Sequence, residues 1–295
     1  MNREFLTGTG VAIVTPFHED KTVDFASLGK LTRYLVESKI EYIVVLGTTG
    51  ESVVLSKEEK RQIVHKVIDA SEGKAGIVVG LGGNNTQEVL KNIREFDYEG
   101  VHAVLSVCPY YNKPNQRGLY EHFKAIAGES KVPVILYNVP GRTGTNLAAD
   151  TTVRLAHDIK NIAAVKEASG NLEQIMQIIR DKPSDFLVIS GDDQLTLPII
   201  ACGGAGVISV SANAFPKQVR TMVRHALEGN FRDARPYHYQ LMEVTRLLFS
   251  EGSPAGIKAV LHHLGLAKNE LRLPLVPVTE ATYQKLASAA EAILK

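Results

Sequence analysis

Short apolar runs rich in Val and Ile recur along this chain. Each is followed by Gly, Asn, Ser or Thr, and then by a stretch whose apolar positions fall at helical spacing. The runs are VAIVTPF (11–17), YIVVLGTTG (42–50), AGIVVGLGG (75–83), AVLSVCPYY (103–111), PVILYNVPG (133–141), IAAVKEASG (162–170), FLVISGDD (186–193) and AGVISVSANAF (205–215). They are apolar throughout rather than alternating, as expected of parallel strands covered on both faces. Between them lie amphipathic segments such as SLGKLTRYLVESK, SKEEKRQIVHKVIDAS and LEQIMQIIRD. In the second, Ser56 followed three residues on by Glu59 spells a capping box, with Ile63, Val64 and Val67 behind it. Eight such units in succession predict a (β/α)8 barrel; an open doubly wound sheet, the alternative, commonly has fewer strands.

About eighty residues follow the eighth run, and they read as helices: KQVRTMVRHALEGN, RPYHYQLMEVTRLLF, PAGIKAVLHHLG and TEATYQKLASAAEAIL. The connecting LRLPLVPV carries two prolines and reads as extended. The expected division is a barrel over 1–220 and a helical extension over 221–295, possessing the character of a subunit contact.

Composition narrows the function. Lysine plus arginine and aspartate plus glutamate nearly cancel, leaving a net charge of +1, so neither nucleic acid nor an anionic membrane is indicated as a partner. The opening MNREFLTGTG has no apolar signal-type core, and no run is long enough to span a bilayer. Cys108 and Cys202, the two cysteines, both adjoin apolar sequence; two buried thiols fit a reducing compartment, and the cytoplasm is the default expectation.

In a barrel the active site lies where the carboxyl ends of the strands converge. Lys166 stands at the end of the sixth run, where desolvation disfavours an ammonium and leaves some neutral amine able to attack a ketone. A lysine snorkelling to the rim, or paired with a carboxylate such as Asp192, is the plainer reading. Glu167 points to the opposite side of the strand. Tyr137, ending the adjacent run, can relay protons as a phenol or simply cap the barrel core. Thr48 and Thr49 sit between glycines in a turn that can hold a small carboxylate or be only a tight loop. Arg142 suits bidentate carboxylate recognition, although a loop arginine is commonly just solvated.

Other chemistries fit less well. No His/Cys/Asp cluster has metal-ligand spacing, and no metal or cofactor is expected. There is no phosphate-binding glycine fingerprint, and Asp192-Asp193 after the seventh run would repel phosphate. Ser209 and Ser211 have no nearby histidine, and adjacent aspartates cannot flank a glycoside. Imine chemistry on a small oxo-acid remains.

Five ordered motifs, GTTGES (47–52), PYYNKP (109–114), YNVPGRTG (137–144), VKEASGN (165–171) and SGDD (190–193), resemble those of the dihydrodipicolinate synthases. These belong to the wider neuraminate lyase group of pyruvate-dependent, class I aldolase-like barrels. The resemblance implies that Lys166 forms an imine with pyruvate, whose enamine attacks aspartate-4-semialdehyde to give 4-hydroxy-tetrahydrodipicolinate. It assigns Tyr137, Thr49 and Tyr111 to a proton relay, with Tyr111 reaching into a neighbouring subunit. A dimer is then the minimum active unit and a homotetramer, a dimer of dimers, the expected assembly. By the same resemblance, Thr48 and Thr49 hold the pyruvate carboxylate and Gly191 and Ile208 carry backbone groups near the imine. Arg142 receives the carboxylate of the semialdehyde and separates the chain from sibling sugar-acid lyases.

Ser52, Asn84, Glu88 and Tyr110 match the allosteric lysine site of feedback-inhibited members. Lys57 and Lys60 depart from the pattern there and should repel a cationic ligand, so weak or absent inhibition is expected. Two alternatives stay open: a sibling aldolase acting on N-acetylneuraminate or a 2-keto-3-deoxy sugar acid, and a non-catalytic barrel that binds an oxo-acid as a regulator.

Overall fold

A computed structural model of the chain describes residues 4–294. Eight parallel strands close into a barrel in sequence order, with β8 returning to β1: β1 Gly8–Ala12, β2 Tyr42–Val45, β3 Gly76–Gly80, β4 Ala103–Val107, β5 Val134–Asn138, β6 Ile162–Glu167, β7 Leu187–Ser190 and β8 Gly206–Ser209. The helices are α1 Phe25–Glu37, α2 Lys57–Ser71, α3 Thr86–Glu95, α4 Gln116–Glu129, α5 Pro140–Thr143, α6 Ala149–Asp158, α7 Leu172–Asp181, α8 Thr196–Ala201, α9 Pro216–Leu227, α10 Phe231–Leu248, α11 Ala255–His263 and α12 Glu280–Leu294. Among the described residues, no helix is long and apolar enough to cross a membrane.

The barrel interior is filled by an apolar layer that includes Tyr42, Val44, Leu105, Ile135, Ile189 and Ile208, while larger clusters pack the outer strand faces against the helices. Closure depends on Gly206. Its backbone lies at φ +141, and a Cβ there would sit 1.9 Å from the Gly8 carbonyl oxygen. Only glycine permits both that conformation and that approach. The capping box at α2 forms as its sequence predicts: Ser56 N–H donates to Glu59 Oε2 at 2.8 Å, and Glu59 N–H to Ser56 Oγ at 3.2 Å.

The strands are shorter than the apolar runs, and the first begins earlier, at Gly8 rather than Val11. Val14, Phe17, Ala212 and Phe215 lie outside any strand yet are fully buried. Hydropathy reports burial, and at the barrel mouth burial continues after strand pairing has ended. The division expected at 220/221 falls inside α9, which packs on β1 and β8 as the barrel's eighth helix. One expectation is corrected outright: Cys108 is buried, but Cys202, the C-terminal cap of α8, is partly exposed.

The segment after α9 is fastened to the barrel. Arg272 donates to Glu59 through Nη1 and Nη2, at 3.0 and 2.5 Å, and this pairing holds the Glu59 carboxyl down at about 2. A depressed carboxyl stabilises the fold above its unfolded value near 4.5 and loses that contribution as pH falls through about 2. The effect is on the order of 2 kcal/mol for this partly buried pair. Arg272→Met should therefore flatten the dependence of melting temperature on pH across that acid window. An unchanged slope would count against the pairing.

Candidate active site

The carboxyl ends of the strands open onto a cavity of about 480 Å³. Lys166 enters it from β6 and is only 6 % exposed. Its registry partner across the sheet is Tyr137 on β5, and the Lys166 Nζ lies 4.3 Å from the Tyr137 ring centroid. Among the described residues no carboxylate pairs with Lys166, so the pairing with Asp192 does not occur. Nor does the side chain snorkel outward. Gly191 makes room for it, because a Cβ at that position would lie 3.0 Å from Lys166 Cε and 3.1 Å from Cγ.

Behind Lys166, Glu167 faces outward from the barrel and is fully buried. Its carboxylate accepts from Asn138 Nδ2 at 3.0 Å, Gln174 Nε2 at 3.1 Å and the Ser169 N–H at 3.0 Å. Burial nevertheless pushes this carboxyl above the ordinary glutamate range. The network ties β5, β6 and α7 together directly beneath Tyr137 and Lys166, fixing the two side chains against one another.

Thr48 and Thr49 line the cavity from the turn after β2, Thr49 buried and Thr48 exposed. Arg142, on α5, is exposed at the rim of the same cavity. Asp193 also borders it, but its carboxylate is turned to the backbone and accepts from Val210 N–H at 2.9 Å and Ser211 N–H at 3.1 Å. Burial pushes its carboxyl up as well.

Six residues singled out in the sequence thus converge: Thr48, Thr49, Tyr137, Arg142, Lys166 and Gly191. Ile208 is buried in the barrel interior and does not line the cavity. Tyr111 does not line it either; it is 90 % exposed, with a left-handed backbone at φ 72. Asn84 donates to the Tyr110 carbonyl at 3.3 Å, so those two residues do meet, away from the cavity, with Ser52 and Glu88 on neighbouring surface elements. Lys57 lies 3.7 Å from Glu95, and Glu88 counteracts the lowering that burial imposes on Lys60. Both cations are thus partly compensated.

Sequence reasoning missed the contribution of the helical extension. Thr245, Arg246, Phe249, Ser250 and Ser253, around the α10–α11 junction, close one side of the cavity. The one available signal is the interruption SEGSP between two helical patterns, which does not say where the junction packs.

A closed parallel barrel with a buried lysine beside a phenol, and hydroxyls and a guanidinium around an open space, defines a barrel suited to carbonyl chemistry at an amine. The chain belongs to the dihydrodipicolinate synthetase family, whose model matches residues 5–293. A 4-hydroxy-tetrahydrodipicolinate synthase of Parabacteroides distasonis is 50 % identical over 281 residues, covering 95 % of each chain. The crystal structure of dihydrodipicolinate synthase from Aquifex aeolicus superimposes with a TM-score of 0.93 at 41 % identity, covering 97 % of both chains. A second solved structure, described as a monomeric dihydrodipicolinate synthase variant, matches with a TM-score of 0.95 at 39 % identity over 98 % of each chain.

Proposed function

We propose that this protein is a lyase that condenses pyruvate with L-aspartate-4-semialdehyde through an imine on Lys166, giving 4-hydroxy-tetrahydrodipicolinate. The burial of Lys166 next to Tyr137, without a carboxylate partner among the described residues, carries the assignment. Membership of the family supports the pair of substrates.

The Lys166 amine attacks C2 of pyruvate, and the carbinolamine loses water to give the imine. Loss of a methyl proton gives the enamine, whose carbon forms a bond to the aldehyde carbon, and the aldehyde oxygen takes up a proton. The amino group of the condensed semialdehyde then attacks the imine carbon and displaces Lys166, closing the ring and freeing the lysine. One water is released in all. Tyr137, with Thr49, serves the proton transfers; Thr48 and Thr49 hold the pyruvate carboxylate through hydroxyl and backbone N–H groups; Arg142, open to solvent at the rim, receives the carboxylate of the incoming aldehyde.

The experiment is a rate assay with both substrates, coupled to a reductase that reports product by NADPH loss. Turnover is expected. Its absence, alongside pyruvate release from a 2-keto-3-deoxy sugar acid, would move the chain to the sibling lyases.

Gly191→Ala offers an internal check. The added methyl group displaces the Lys166 side chain, and a misplacement of about 1 Å at a reacting group can cost on the order of 10²-fold. Imine trapping should slow by at least about tenfold in a folded protein; wild-type trapping kinetics would contradict the packing argument.

We further propose that the active form is a homotetramer, a dimer of dimers, in which Tyr111 completes the relay of a neighbouring subunit. The exposure of Tyr111, together with that of Val53 and Tyr110, supports such an interface. Sedimentation should find the assembled species. One solved relative is described as a monomeric variant, so a monomer is the contrary outcome of that measurement. Ser52, Asn84, Glu88 and Tyr110 form the proposed lysine site. Because Lys57 and Lys60 are only partly compensated, inhibition should be weak, and a rate titration that finds sub-millimolar inhibition would contradict this.

A further inference from the structure

Two buried charged residues far apart in sequence meet behind the Thr48–Thr49 turn. Glu51 and Lys258 are 2 % and 0 % exposed, and the Lys258 ammonium donates to Glu51 Oε1. Lys258 also donates to the Glu270 carbonyl at 2.8 Å and lies 4.2 Å from the centroid of the Phe17 ring. The other carboxylate oxygen of Glu51 accepts the Arg272 backbone N–H at 3.1 Å. Glu51 is therefore held on both oxygens by the C-terminal extension.

Its backbone is equally constrained. Glu51 adopts the left-handed region, φ 53 and ψ 35, which a non-glycine residue enters only when its surroundings compel it. Its N–H donates to the Thr48 carbonyl at 3.0 Å, and the preceding Gly50 N–H to the Gly47 carbonyl at 3.1 Å. On the other side, Thr15 Oγ1 donates to the Gly50 carbonyl at 2.7 Å. The turn that carries Thr48 and Thr49 thus ends on a strained residue whose side chain is locked onto α11 and the irregular segment after it.

We propose that the Glu51–Lys258 pair is a positioning device: it holds the Thr48–Thr49 turn in the geometry that receives the carboxylate of the oxo-acid, and it couples the C-terminal extension to that subsite. This rests on the reading of the cavity as a pyruvate site. Neither residue lines the cavity, so neither touches substrate. The same extension lines the cavity through Phe249 and Ser253, so the lock and one cavity wall belong to one unit of structure. Release of the pair lets Glu51 leave the left-handed region, and the Thr48 carbonyl and Thr49 move with it.

The test is borohydride trapping of pyruvate on the full-length protein as a function of pyruvate concentration, alongside steady-state kinetics. Glu51→Gln should raise the pyruvate concentration for half-maximal trapping at least about tenfold, with kcat at saturating pyruvate changed far less. Glu51→Gln combined with Lys258→Met leaves no buried charge unpaired and serves where the single change impairs folding; it should show the same shift. In a Thr49→Val background the further loss from Glu51→Gln should shrink to below about twofold, because the effect passes through the same subsite, whereas a general loss of stability would add independently. Folded variants that trap pyruvate with wild-type half-saturation would overturn the proposal.

In the wild type, saturating pyruvate should slow hydrogen exchange at the Arg272 amide, whose acceptor is Glu51, since coupling acts in both directions. Unchanged exchange there, with trapping intact, would also overturn it. A wild-type protein that traps no pyruvate at any concentration would instead defeat the reading of the cavity, and the present inference with it.

Discussion

Lys166→Ala is expected to abolish imine trapping and lower turnover by on the order of 10⁴-fold or more, the scale on which removal of a covalent nucleophile is felt. The fold should survive. Among the described residues Lys166 has no ion-pair partner to orphan, and its side chain is buried next to Tyr137. Replacing such a group with a small apolar side chain leaves no buried partner unpaired, so the melting temperature should stay close to that of the wild type. Loss of both activity and folding would mean that Lys166 is structural. Retention of trapping would move the nucleophile elsewhere, and Lys258 would be the next lysine to examine, although Glu51 already occupies it.

Arg142→Ala should separate binding of the second substrate from formation of the imine. The guanidinium is at the rim and supports none of the network around Lys166, Tyr137 and Glu167. Pyruvate trapping should therefore remain at the wild-type level. A charge-assisted pair with a carboxylate contributes roughly 1.5–3 kcal/mol, so kcat/KM for the semialdehyde should fall by about 10- to 100-fold. Equal losses for both substrates would show that Arg142 acts on the first carboxylate rather than the second.

The barrel was legible because its signal is redundant. Eight apolar runs, each with a helix-period stretch behind it, leave little freedom in connectivity, and uncertainty at any strand end does not alter the count. The ends themselves were less legible: Val14 and Phe17 look like strand and are buried like strand, but they lie beyond the end of β1, where Phe17 packs against Lys258 and Arg272 of the C-terminal extension. The convergence of the candidate residues was legible for a related reason. In a parallel barrel every strand ends on the same face, so reading the last residue of each run amounts to reading the mouth, and Lys166 with Tyr137 emerged from that alone.

What sequence could not supply was the partner of a buried charge. Lys258 sits in PAGIKAVL among residues that are all buried, an anomaly visible in the chain, but its carboxylate lies 207 residues away. Glu51 looked like an ordinary turn residue after GTTG. Such pairings are set by how the extension folds back over the barrel, and no local period encodes that. Tyr111 is legible in the opposite sense. Its backbone is left-handed, its side chain faces solvent and it does not line the cavity, so the role proposed for it above depends on a neighbouring copy.

Everything proposed for the reaction depends on pyruvate reacting at Lys166 Nζ. The most direct test is reduction with borohydride in the presence of pyruvate, followed by mass mapping of peptides. One reduced pyruvate adduct is expected, located on the peptide bearing Lys166. An adduct on another lysine, or none at saturating pyruvate, would contradict this.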